Sequence, residues 1–101
     1  MDTTNQQLSN RTTIEETLKT MIVEVIGEDF ISLEEINLTD KLTEDLEMES
    51  IDIVQFADLV KSEYGEKSDL TQWMSSMDLN EIINLKVFEI VDFLDKELST
   101  N

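Results

Sequence analysis

Residues able to do chemistry are scarce in this chain, and the few present converge on one serine. There is no cysteine and no histidine, which excludes thiol nucleophiles, disulfides, thiolate metal sites and imidazole acid–base catalysis. A serine with no base beside it is a weak nucleophile, so no catalytic residue is assigned and the protein is not read as an enzyme. Carboxylates abound, with 24 Asp and Glu against seven Lys and Arg, yet their spacing singles out no pair for acid–base work. The glycine-rich phosphate loop and the EF-hand pattern are both missing. No metal site is assigned, a calcium-binding regulator is disfavoured, and only weak, nonspecific divalent-cation binding is expected of the acidic surface.

The serine is Ser50, in the stretch Asp45–Leu46–Glu47–Met48–Glu49–Ser50–Ile51. It stands where an acidic loop turns into an amphipathic helix. On position alone two readings are open. Ser50 is a helix N-cap, its hydroxyl accepting from the N–H of Asp52 or Ile53, or it is a covalent attachment point. A helix start offers unpaired N–H groups and partial positive charge, which suit a phosphate ester.

The elements that position Ser50 are helices. Thr13–Ile14–Glu15–Glu16 has the form of a capping box, and Ile14, Leu18, Met21, Ile22, Val25 and Ile26 follow at offsets of three and four. With Gly27 as a stop, this predicts a first helix over Thr13 to Ile26. Residues 28–49 show no sustained periodicity, although Ser32–Leu33–Glu34–Glu35 allows one short helical turn. They read as a long loop pinned to the core by Ile36, Leu38, Leu42 and Leu46, and loops of this length are often functional. A second helix runs from Ser50 to Tyr64 with Gly65 as its stop. Its two overlapping apolar stripes, from Ile51 through Val54 to Val60, predict a central helix buried on more than one side. Asp69 to Met74 suggests a short helix carrying Trp73. Asp78–Leu79–Asn80–Glu81 is another capping box leading into Ile82 and Ile83. Asn84 is expected to cap a final helix that shows Val87, Ile90, Val91, Leu94 and Leu98 at helical spacing. Strand alternation is lacking. The fold class is all-α, a small bundle of three main helices plus one or two short ones, with a long loop between the first and second helices.

A chain of 101 residues makes one modest domain, here residues 12–99, behind a polar segment 1–11. That segment lacks the basic start and apolar run of a secretory signal and is expected to be a loose tail. No apolar run approaches a membrane span. The net charge of −17 repels nucleic acid and anionic membranes and favours partners with Lys/Arg patches. Absent cysteine fits a reducing, cytoplasmic setting, and no leftover apolar stripe argues against a monomer.

At Asp45–Ile51 the sequence resembles the acyl carrier proteins, whose D-L-G-x-D-S-L motif carries the serine that receives 4′-phosphopantetheine. Asp45, Leu46 and Ser50 match directly, Glu49 and Ile51 replace their counterparts conservatively, and Glu47 stands where the family commonly has Gly. Thr39–Asp40–Lys41–Leu42 is similar to the approach to that motif. Ile51 through Tyr64–Gly65 is similar to the second helix, and Leu85 through Leu94 to the last. The resemblance spans roughly residues 13–98. It departs between Gly65 and Asn84, where Ser68 to Met77, with Trp73, adds several residues.

The resemblance implies that Ser50 is the attachment site and that attachment outranks a mere cap, although the two roles are compatible. It further implies a carrier of acyl thioesters for fatty acid or polyketide-type biosynthesis, free-standing or excised from a larger protein. A phosphopantetheinyl transferase would load the arm. Acyl-loading and acyl-processing enzymes with basic patches would dock on Glu47, Glu49, Ile51, Asp52, Asp58 and Glu63, with Met48 as a further apolar contact. The competing function is an acidic helical adaptor that binds a basic partner, with Ser50 only a cap.

Overall fold

The computed structural model describes residues 3–99. Five α-helices succeed one another: α1 (Thr3–Ile26), α2 (Ser50–Tyr64), α3 (Leu70–Ser75), α4 (Leu79–Ile83) and α5 (Val87–Ser99). Short 3-10 turns occur at Leu33–Glu35 and Glu66–Ser68. The described residues hold no strand beyond one isolated antiparallel bridge between Lys41 and Lys86.

Helix α1 is the spine, packing against both α2 and α5. Its 24 residues make a rod about 36 Å long. Ile14, Leu18, Met21 and Ile22 are buried along one stripe, as their three- and four-residue spacing requires. The start differs from expectation. The helix is already running at Thr3, so Thr13–Glu16 lies inside it and is no capping box, and the segment expected to be a tail is helical from Thr3; Met1 and Asp2 lie outside the described residues. The guanidinium of Arg11 ties this helix to α5, 2.7 Å from the Asp92 carboxylate and 3.4 Å from that of Asp95. At the other end Gly27, at φ 111°, closes the helix with its N–H on the Val23 carbonyl at 2.7 Å. That left-handed backbone is strained for any residue with a Cβ.

The loop from 27 to 49 is pinned to the core by the part from Ile36 onward. Ile36, Leu42, Leu46 and Met48 are buried, and Leu38 is half-buried. A helix start leaves N–H groups without intrahelical acceptors. At α5 the loop supplies those acceptors, Asp40 O for Val87 N–H at 3.0 Å and Leu38 O for Phe88 N–H at 2.8 Å. In return Leu42 N–H donates to Leu85 O at 3.1 Å. The Thr43 hydroxyl reaches Ile83 O at 2.9 Å and satisfies a carbonyl at the end of α4. The loop is thus the seam between α5, the end of α4 and the core.

Helix α2 buries one face only. Phe56, Ala57 and Val60 face the core, whereas Ile51 and Val54 are 61% and 56% exposed. The expected burial on more than one side does not occur, because α2 meets α1 and the short elements after it and nothing covers its outer stripe. Asp69 and Asp78 cap α3 and α4, accepting from Gln72 N–H at 3.1 Å and Glu81 N–H at 2.9 Å. Asn84 ends α4 rather than opening α5, its N–H returning to Asn80 O at 3.1 Å. The start of α5 is closed instead by Glu89, which accepts from Lys86 N–H at 2.9 Å.

Few cations offset the acids. Arg11, Lys41 and Lys61 pair with nearby carboxylates, and exposed pairs of this kind contribute about 0–1 kcal/mol each. The remaining field, from a net charge of −17, opposes compaction. Added salt therefore raises the melting temperature, because screening weakens this repulsion more than it weakens the few pairs. A thermal melt followed by circular dichroism from low to high NaCl checks this, and a flat melting temperature refutes it.

Candidate functional site

The site is a turn and a helix start locked from both sides. Ahead of the turn, Lys41 O accepts from Asp45 N–H at 3.1 Å and Leu46 N–H at 3.0 Å, while the Asp45 carboxylate accepts from Lys41 N–H at 2.8 Å. Met48 N–H closes on Leu42 O at 2.9 Å. After the turn, the Asp52 carboxylate accepts from Glu49 N–H at 3.0 Å, and Glu49 O accepts from Ile53 N–H at 3.0 Å. Glu49 therefore occupies the N-cap position and Ser50 is the first helical residue. The reading of Ser50 as the cap is corrected on this point. Its hydroxyl is exposed and makes no hydrogen bond among the described residues.

Glu47 carries the sharpest bend, at φ 56°. The left-handed turn is kept although a glutamate stands where the resembled motif has glycine. That geometry costs a residue with a Cβ about 1–2 kcal/mol. The Glu47→Gly variant is expected to be more stable by roughly 0.5–1 kcal/mol, the relieved strain being offset in part by the greater chain entropy of glycine. Chemical denaturation measures the difference, and a loss of stability would mean that the Glu47 side chain holds the turn by other means.

The residues expected to meet partners fall into three groups. Glu47 and Glu49 are exposed beside Ser50. Ile51 and Asp58 are exposed and seven residues apart, so they share one face of α2. Glu63 is exposed in the last turn, about 18 Å along the axis from Ile51 and off that face. Asp52 is half-buried with its carboxylate committed to the Glu49 N–H, so its part here is to hold the helix start. Met48 is 3% exposed and packs in the core, which removes it as a contact residue. The reading of the sequence missed Val54. Three residues after Ile51, it completes a two-residue apolar spot. Only the identity of the buried stripe could have shown it, and helical periodicity fits either stripe.

The N–H groups of Ser50 and Ile51 make no hydrogen bond among the described residues. With the exposed hydroxyl, they leave room and donors for a phosphodiester at the start of α2. Among the described residues no group of acidic side chains is arranged to hold a metal ion. The family described as phosphopantetheine attachment site matches residues 16–85, and the chain belongs to it. This is the acyl carrier protein family domain, and its cofactor is a covalent 4′-phosphopantetheine. No curated protein and no solved structure matches the chain. No helix among the described residues is long and apolar enough to cross a membrane.

Proposed function

We propose that Ser50 is the attachment residue and that the protein carries acyl groups as thioesters, in fatty acid or polyketide-type biosynthesis, without catalysing a reaction itself. The observation that carries this reading is the exposed, unbonded hydroxyl at the first position of α2, within the span matched by the family. A phosphopantetheinyl transferase, using magnesium, directs Ser50 Oγ to the phosphorus of coenzyme A next to the pantetheine. A phosphodiester forms, the pyrophosphate bond breaks, the nucleotide half leaves and the hydroxyl proton passes to the transferase. The attached arm supplies the thiol that this cysteine-free chain lacks.

Glu47, Glu49 and Asp58 offer negative charge around the Ile51–Val54 spot to enzymes with basic patches. Rim charges of this kind act mainly on association rate and salt dependence. Asp52 supports the site by fixing the Glu49 N–H, and Glu63 meets only partners that reach the far end of α2. The protein works as a cytoplasmic monomer on this reading. The test is the intact mass after incubation with coenzyme A, magnesium and a broad-specificity transferase. One added phosphopantetheinyl group, mapped to the peptide containing Ser50, is expected. No gain beside an active control carrier would hand first place to the acidic adaptor.

A further inference from the structure

The segment that lengthens this chain relative to the carriers it resembles builds a feature the loading reaction does not use. Trp73 of α3 and Phe93 of α5 stack with ring centroids 4.4 Å apart and planes 13° from parallel. Both rings are only half-buried, so the stack shows part of its surface to solvent. A cavity of about 200 Å³ is lined by Glu66, Asp69, Gln72, Trp73, Phe93 and Glu97. A larger one of about 470 Å³ shares Trp73, Phe93 and Glu97 and adds Phe88, Glu89, Asp92 and Lys96. The aromatic pair is thus common to both hollows.

Charge decides what suits this surface. Asp69 is already engaged, by Lys61 at 3.6 Å and by the Gln72 N–H. Asp92 is held by Arg11, and Glu89 by the Lys86 N–H. Glu66 and Glu97 make no ion pair among the described residues, and both line the smaller hollow. One ring of the larger hollow already faces a cation, Lys86 Nζ lying 5.9 Å from the centre of the Phe88 ring. A flat cation with several donors can lie on the indole or phenyl face and bond carboxylates at its edge. Guanidinium has that shape and ammonium does not. An acyl chain would gain nothing from the carboxylates and would strip them of water.

We propose that the groove between α3 and α5 is a second docking surface, for an arginine-bearing basic segment of a partner protein. Its lining residues belong to α3, α5 and the turn before α3. None comes from α2 or from the turn holding Ser50. A partner seated here leaves the Ser50 face free for another enzyme, and the docking does not depend on Ser50 being loaded.

Trp73 is the only tryptophan in the chain, so its emission, excited selectively over that of Tyr64, reports this groove. The protein is titrated at about 150 mM NaCl, where longer-range attraction is screened, with a short Arg/Ala peptide, its Lys/Ala counterpart and sodium dodecanoate. A saturable change with the arginine peptide is expected, with distinctly weaker binding of the lysine peptide. The double variant Glu66→Gln/Glu97→Gln should lose about tenfold or more in affinity for the arginine peptide. The control Glu34→Gln/Glu35→Gln, which removes the same charge elsewhere, should change it by less than about twofold. Both doubles alter exposed or half-exposed groups, and a melt verifies that they stay folded. Absence of a saturable change overturns the proposal. So does equal weakening in the two doubles, which would mark a diffuse response to net charge. Dodecanoate binding in place of the peptide, unaffected by Glu66→Gln/Glu97→Gln, would assign the groove to an acyl chain and also overturn it.

Discussion

Ser50→Ala is expected to abolish phosphopantetheine loading completely while leaving the fold as stable as before. On the reading proposed for Ser50, loading needs its Oγ as nucleophile, and no carboxylate beside it can take that part. Glu47, Glu49 and Asp52 are carboxylates, and one of them already closes the helix start. Stability is a separate matter, because the N-cap is Glu49 and the Ser50 hydroxyl holds no bond. Deleting a capping hydroxyl costs about 1 kcal/mol. Deleting an exposed, unbonded one at the first helical position changes stability by less than about 0.5 kcal/mol, with alanine favoured as a helix former. Intact mass and a denaturant melt on the same sample read both quantities. Loading that persists in the variant would move the attachment site to another hydroxyl. A loss near 1 kcal/mol would restore the capping role to Ser50.

The largest stability effect is expected from Leu42→Ala. Leu42 is 1% exposed, and its backbone joins two parts of the molecule by donating to Leu85 O and accepting from Met48 N–H. Truncating a buried leucine to alanine costs about 2–5 kcal/mol, the lost burial being compounded by the cavity left behind. The whole stability of a domain this size is about 5–15 kcal/mol. A loss near 3 kcal/mol lowers the melting temperature by roughly 10–20 °C. Loading by the transferase should suffer as well, because the turn that presents Ser50 hangs from this residue. Leu33→Ala is the comparison. It lies in the same loop but is 41% exposed, and should change stability by less than about 0.5 kcal/mol. Equal effects at the two positions would show that the loop is not pinned through Leu42.

The parts of this molecule governed by short-range rules are legible in the chain itself. Helix α2 runs from Ser50 to Tyr64 as expected, because a loop-to-helix junction and a glycine stop are settled by neighbours within four residues. The capping box at Asp78–Glu81 and the turn after Ser32 form for the same reason. The four apolar pins of the loop are likewise buried or half-buried, since apolar side chains in a short chain have only one core to enter.

Tertiary structure decided whatever depends on a partner distant in sequence. Thr13–Glu16 has the letters of a capping box, but a cap needs non-helical backbone at Thr13, and the chain before it is already helical. Asn84 sits one turn before α5, yet the acceptors at that helix start come from Asp40 and Leu38, more than forty residues earlier. Either apolar stripe of α2 satisfies helical periodicity, and only the docking of α1 determined that Phe56 and Val60 go inside while Ile51 and Val54 stay out. Met48 is buried although it stands between the exposed Glu47 and Glu49. Trp73 met Phe93 across two turns and the helix α4 between them. Local patterning was enough to make the helices, the acidity and the loop-to-helix junction at Ser50 readable. The three-dimensional packing determined which side chains around that serine remain free to meet another molecule, because burial is a property of two surfaces and each stretch of sequence describes only one.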